Sequence, residues 1–102
     1  MRIWFFAGLF VMSMCAQAQG DPSLGQAIYE QHCVVCHQDG IAGAPKFRND
    51  EDWKPRLAKK NRDELTMSAI KGLNAMPAKG ACPECLDSDI QAAVEYMVPK
   101  HD

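Results

Sequence analysis

Cys33-Val34-Val35-Cys36-His37 constrains this chain more than any other stretch. Two thiols with two residues between them and an adjacent imidazole suit three chemistries: zinc ligation, a thiol-disulfide cycle, or covalent attachment of haem. A second pair, Cys82-Pro83-Glu84-Cys85, adds the option of a single four-cysteine metal site. The rest of the chain decides among them.

The first eighteen residues read as an export signal. Arg2 provides a positive start, Ile3 to Met12 is apolar, and Ala16-Gln17-Ala18 offers the small residues after which signal peptidase cuts. The apolar run from Ile3 to Ala16 is shorter than the roughly 20 residues that span a bilayer. Cys15 follows Met14, where a lipobox would need a small residue. Residues 1–18 are therefore expected to be removed after Ala18, leaving residues 19–102 as one exported, periplasmic domain.

Loss of Arg2 moves the formal charge from −2 to −3, ten bases against thirteen acids, with no basic run longer than Lys59-Lys60. Nucleic acid is thereby excluded as an expected partner. About 84 residues bury only a modest core, so a staple or large cofactor is expected. Phe47, Trp53, Tyr29 and Tyr96 are the only aromatic side chains of Phe, Trp or Tyr type left to fill that core.

Helix signals dominate. Asp21-Pro22 resembles an N-cap with proline at the first helical position, followed by Leu24, Ala27, Ile28 and Gln31 at helical spacing and running into CVVCH. QDGIAGAPKF reads as a loop, and a short helical turn is expected from Glu51 to Ala58 with Pro55 in its first turn or interrupting it. Asn61 and Glu64 form a capping-box pattern ahead of Leu65, Ala69 and Ile70, and Lys71-Gly72 ends that helix. LNAMPAKGACPEC is irregular, after which Asp87 or Ser88 is expected to cap a helix carrying Ile90, Ala93, Val94 and Met97 and stopping at Pro99. The fold class is all-α.

Within that frame C-x-x-C-H is the attachment signature of one c-type haem. Both thiols reach the two vinyl groups on one side of the porphyrin while the neighbouring imidazole turns in to the iron. A zinc site built from Cys33, Cys36, Cys82 and Cys85 would leave His37 without a role, and a thioredoxin-like pair expects a strand that is not signalled. Cys33 and Cys36 are thus the expected thioether positions and His37 the first axial ligand. For the second, Met67 and Met97 fall on helical stripes and are expected in the core, whereas Met76, in NAMPAKG, is free in a loop. Lys79 is the nearest substitute; His32 and His101 are expected to be bystanders. Cys82 and Cys85 are expected to form a disulfide, worth on the order of 2 kcal/mol for so small a ring. A redox-active pair is the alternative, against which stands the lack of any nearby group in sequence to activate a thiolate.

GQAIYEQHCVVCHQDGIAGAPKF, DWKPRLAKKN and AMPAKGACPECLDSDIQAAVEYM together resemble the small bacterial class I cytochromes c of the cytochrome c5 type, over essentially all of residues 19–102. The resemblance implies four to five helices around the haem, with the first and last crossing. It implies Gly25 as the point of close approach and Tyr29 and Tyr96 packing at the crossing. It implies a carbonyl of Pro45 accepting from the His37 ring, Trp53 against the haem and reaching a propionate, and Arg56 as a second propionate partner. FRND departs from the glycine expected before the aspartate in this loop.

The function expected is one-electron transfer by a His37/Met76-ligated haem between redox proteins of a respiratory-type chain, such as a membrane cytochrome complex and a terminal oxidase or reductase. No catalysis, no membrane contact except through partners, and a monomer or weak dimer are expected. Ile41, Ala42, Ala75 and Ala78 are candidates to ring an exposed haem edge. The alternatives are a haem enzyme or gas sensor with an open iron position, and an electron-transfer subunit of a larger complex.

Overall fold

Gly8 and residues 22–100 are described by the computed structural model; the rest of the expected leader, its cleavage point, Asp21 and His101 lie outside the described residues. Among the described residues five α-helices follow in order: α1 (Pro22–Ile28), α2 (Val34–His37), α3 (Asp50–Lys59), α4 (Arg62–Lys71) and α5 (Asp87–Met97). Among the described residues there is no strand, only an isolated bridge between Leu73 and Met76.

The expected helix into CVVCH is present, but it widens to a π-helical turn over Tyr29–Cys33 before resuming as α2. Its inner face is only in part the apolar stripe expected from the sequence, with Ile28 packed against the core and Ala27 half-buried. Leu24 and Gln31 are exposed, and Gly25, Tyr29 and Cys33, successive residues four apart, are buried instead. The cause is the crossing with α5: a Cβ added to Gly25 would stand 2.3 Å from the Ala92 carbonyl oxygen. Tyr29 then meets Tyr96 edge-on at 5.7 Å and Phe47 at 4.8 Å between ring centroids.

α3 is longer than expected. Asn49 caps it by accepting from the Asp52 N–H at 3.0 Å, and three acids occupy the first turn, favourable at the positive end of the helix dipole. Pro55 sits beyond the first turn without breaking the helix. α4 begins with the full Asn61–Glu64 capping box, both arms made at 2.8 and 3.2 Å, and ends at Gly72 with φ +88°. Met67, expected in the core, is exposed. α5 buries Ile90, Ala93, Val94 and Met97 as its spacing predicts. Its cap differs: Leu86 is the N-cap residue, and its N–H donates to the Asp89 carboxylate at 2.9 Å. Arg62 ties α4 to the end of α5, pairing with Glu95 at 3.5 Å and donating to the Pro99 carbonyl.

FRND closes the loop behind the site. Arg48 takes the φ of +51° that a glycine would adopt freely. Its N–H donates to the Met97 carbonyl at 2.9 Å, its Nε to the Tyr96 carbonyl at 3.0 Å, and its guanidinium lies over both Phe47 and Tyr96.

Candidate functional site

α2, the loop after it, α3, α4, the Met76 loop and α5 enclose a cavity of about 410 Å³, within the range of ligand and cofactor sites. Cys33, Cys36, His37, Pro45, Trp53, Arg56 and Met76 all line it, so the residues expected to attach, ligate or contact a haem converge there. Leu65, Ala69, Val94 and Met97 supply apolar wall.

His37 is 6 % exposed and stacks on Trp53, with centroids 6.2 Å apart and planes 14° from parallel. Its Nδ1 lies 2.8 Å from the Pro45 carbonyl oxygen. A carbonyl only accepts, so Nδ1 carries the proton and Nε2 keeps its lone pair, the tautomer a metal requires. Burial lowers the pKa of the ring and the Arg56 charge adds to this, while the bond to Pro45 opposes it. Burial also pushes the Cys33 thiol up to about 11, so it is protonated and not poised for thiolate chemistry. Cys33 and Cys36 are free thiols, while Cys82 and Cys85 are joined as a disulfide.

Met76 is held on the opposite sequence flank of the cavity by a tight turn. Leu73 and Met76 exchange backbone hydrogen bonds at 2.9 and 3.1 Å, with Asn74 at φ +53°. Gly72 makes room for this loop, since a Cβ there would meet Met76 O and Ala78 N at 3.0 Å. Met97 also lines the cavity, from α5, which its place on a core stripe did not suggest.

Trp53 is placed differently from the role inferred for it. Its indole N–H donates to the Lys46 carbonyl at 2.7 Å, so the ring serves as wall and as support for His37, with its polar group engaged elsewhere. Arg56 is anchored by the carbonyls of Asp52 at 2.7 Å and Gly43 at 3.2 Å. At the mouth, Ile41, Ala42 and Ala75 are exposed and line the cavity, as do Val35 and Leu73, which sequence reasoning missed; Ala78 is exposed but not in the lining.

The donor set fits a c-type haem. Two unpaired thiols, an imidazole with a free Nε2 and a thioether border one apolar cavity, with a guanidinium at its wall. Among the described residues no helix is long and apolar enough to cross a membrane.

The family described as cytochrome c oxidase, cbb3-type, subunit III matches residues 20–97. The chain is 37% identical over 83 residues to cytochrome c5 of Ectopseudomonas mendocina, spanning 80% of this chain and 95% of that protein. It resembles a chain in the crystal structure of an electron transfer complex of nitrite reductase with cytochrome c, with a TM-score of 0.69 and 40% identity over 78% of this chain and 94% of that one. It also resembles a mono-haem ferrocytochrome c from Shewanella putrefaciens, with a TM-score of 0.62 and 53% identity over 72% and 89% of the two chains.

Proposed function

Because the chain belongs to the class I c-type cytochromes of the cytochrome c5 kind, electron carriers with one covalent haem, we propose that it is an exported periplasmic carrier whose haem is attached at Cys33 and Cys36 and ligated by His37 and Met76. The observation that supports this most directly is that His37, held in its ligating tautomer by Pro45, and the loop thioether of Met76 border the same cavity.

Bound there, the haem supplies reversible one-electron exchange at its iron, at a potential raised by Met/His ligation. The Pro45 carbonyl fixes the orientation of the His37 ring and raises its donor strength. Trp53 backs the imidazole, and Leu65, Ala69, Val94 and Met97 exclude water and disfavour added positive charge. Arg56 offers a cation to a propionate. The exposed rim of Val35, Ile41, Ala42, Leu73 and Ala75 suits a weak, quickly released contact with a redox protein. Candidates for that protein are a membrane cytochrome complex and a terminal oxidase or reductase. The reductase option gains support from the resemblance to a chain in a complex with nitrite reductase. Residues 1–18 act as the cleaved signal and 19–102 as the haem domain, a monomer or weak dimer.

The oxidised protein is expected to have the methionine-to-iron charge-transfer absorption band. Its absence would overturn the carrier site in favour of an open-iron protein. The match to a family described as an oxidase subunit favours a second reading, a subunit that works only inside a complex. Purification as a free protein that membranes re-reduce would exclude it.

A further inference from the structure

The disulfide has a neighbour that the sequence keeps far from it. His32, in the π-helical turn, brings a ring nitrogen to the sulfurs of Cys82 and Cys85, and the three atoms lie within 4.8 Å of one another. Cys82 and Cys85 are 1 % and 5 % exposed, and His32 is half-buried. The cluster is held from several sides. A Cβ on Gly80 would meet the His32 carbonyl oxygen at 3.3 Å, so the segment leading to Cys82 runs directly against the π-helical turn. Lys79 Nζ donates to the Cys85 carbonyl at 2.8 Å and pairs with Asp87 at 3.4 Å. This placement removes the objection that no group stands near the pair.

We propose that His32, Cys82 and Cys85 form a second metal site beside the haem cavity, which takes one zinc ion when the disulfide is reduced and none when it is oxidised. In the disulfide the sulfurs carry no thiolate charge and are poor donors. A dithiol reductant delivers two electrons and two protons: the Cys82–Cys85 bond breaks, two thiols form, and the reductant becomes a disulfide. Zinc then displaces two protons to solvent, the two thiolates neutralise its charge, and the neutral imidazole is the third ligand, with water as the fourth. A disulfide oxidant reverses this: it takes the two electrons and two protons to become a dithiol, the Cys82–Cys85 bond reforms and the ion is released. The C-x-x-C spacing is that of half a structural zinc site. Tetrahedral zinc sets its donors about 3.5–3.8 Å apart, so a contraction of about 1 Å in the widest separation suffices while the sulfurs move apart. The turn that leads from the Met76 loop into α5 stays closed in both states, by a covalent bond or by the metal.

The test uses the full-length haem protein, as purified or reduced on an immobilised phosphine, dialysed to equilibrium against zinc under nitrogen, with zinc counted per chain by plasma emission. Counting per chain keeps the outcome independent of the haem assignment. One zinc is expected in the reduced protein and none in the oxidised one. His32→Gln should weaken uptake at least tenfold, and Cys82→Ser with Cys85→Ser should abolish the dependence on reduction. Where that double variant fails to keep its haem absorption, alkylation of the reduced wild-type thiols replaces it and should abolish uptake equally. No uptake on reduction, retention of uptake after the cysteines are removed or blocked, or equal affinity in His32→Gln overturns the site.

Discussion

Gly25 of α1 and Ala92 of α5 meet backbone to backbone: a Cβ on Gly25 would stand 2.3 Å from the Ala92 carbonyl oxygen and 3.0 Å from Tyr96 Cβ. Neither neighbour is the end of a flexible side chain, so Gly25→Ala must separate the two helices. Alanine gains about 1 kcal/mol of helix propensity over glycine, and overpacking costs about 3 kcal/mol or more where backbone has to move. A net loss of about 2 kcal/mol is expected, read as a lower denaturant midpoint. A midpoint unchanged or raised would mean that the crossing is looser than this contact requires.

Arg48 joins two opposing effects at one position. Its φ of +51° is strained for a side chain, while its guanidinium covers Phe47 and Tyr96 and its Nε caps the Tyr96 carbonyl. Arg48→Ala keeps the strain and loses the contacts, for an expected cost of about 1–2 kcal/mol. Arg48→Gly loses the same contacts but relieves the strain, recovering about 1 kcal/mol. Urea unfolding of both variants checks the order, which should be wild type, glycine, then alanine, or wild type and glycine close together with alanine below.

Features that depend on local spacing were readable from the residue pattern itself, whereas features set by a tertiary approach were reached through the family resemblance or not at all. The Asn61–Glu64 box and the α5 stripe each lie within one helix, and both form as their patterns imply. On α1 apolar periodicity alone gives weight to Leu24, which is exposed, whereas a close crossing selects for a missing side chain; Gly25, with Tyr29 against Tyr96, was reached through the resemblance and is found there. Met67 sits at a helical position that remains exposed. Trp53 was identified as a wall of the site, yet the partner of its N–H, Lys46, is fixed by how the loop folds back. His32 beside Cys82 and Cys85 is likewise a product of the fold, invisible at that separation in sequence.

Tyr29 is 5 % exposed, and its phenol pKa is raised above 10.0, mainly by burial and further by the neighbouring Cys33, Tyr96 and Asp39. The folded protein therefore holds this proton at a pH where the unfolded chain has released it. The unfolded state then binds fewer protons, so stability falls as pH rises through and above about 10. Tyr29→Phe removes that contribution. Guanidinium midpoints measured between about pH 9 and 11 should fall less steeply for the variant. Parallel slopes would mean that the phenol ionises equally in both states.

Met76 and Met97 border the same cavity from different supports, one from a loop closed by the Leu73 turn and the other from a buried face of α5. The two thioethers are thus separable by substitution. Met76→Ala is expected to abolish the methionine-to-iron band, lower the reduction potential and admit carbon monoxide to the ferrous protein, since Met/His ligation raises the potential and fills the open position. Met97→Ala should leave the band and the carbon monoxide response unchanged. Its cost is stability instead, about 2–5 kcal/mol for truncating a buried methionine, because Met97 is 4 % exposed within the core formed with Ile90 and Val94. If the spectrum followed Met97 rather than Met76, the ligand would come from the helix and the loop would be a cover over the site.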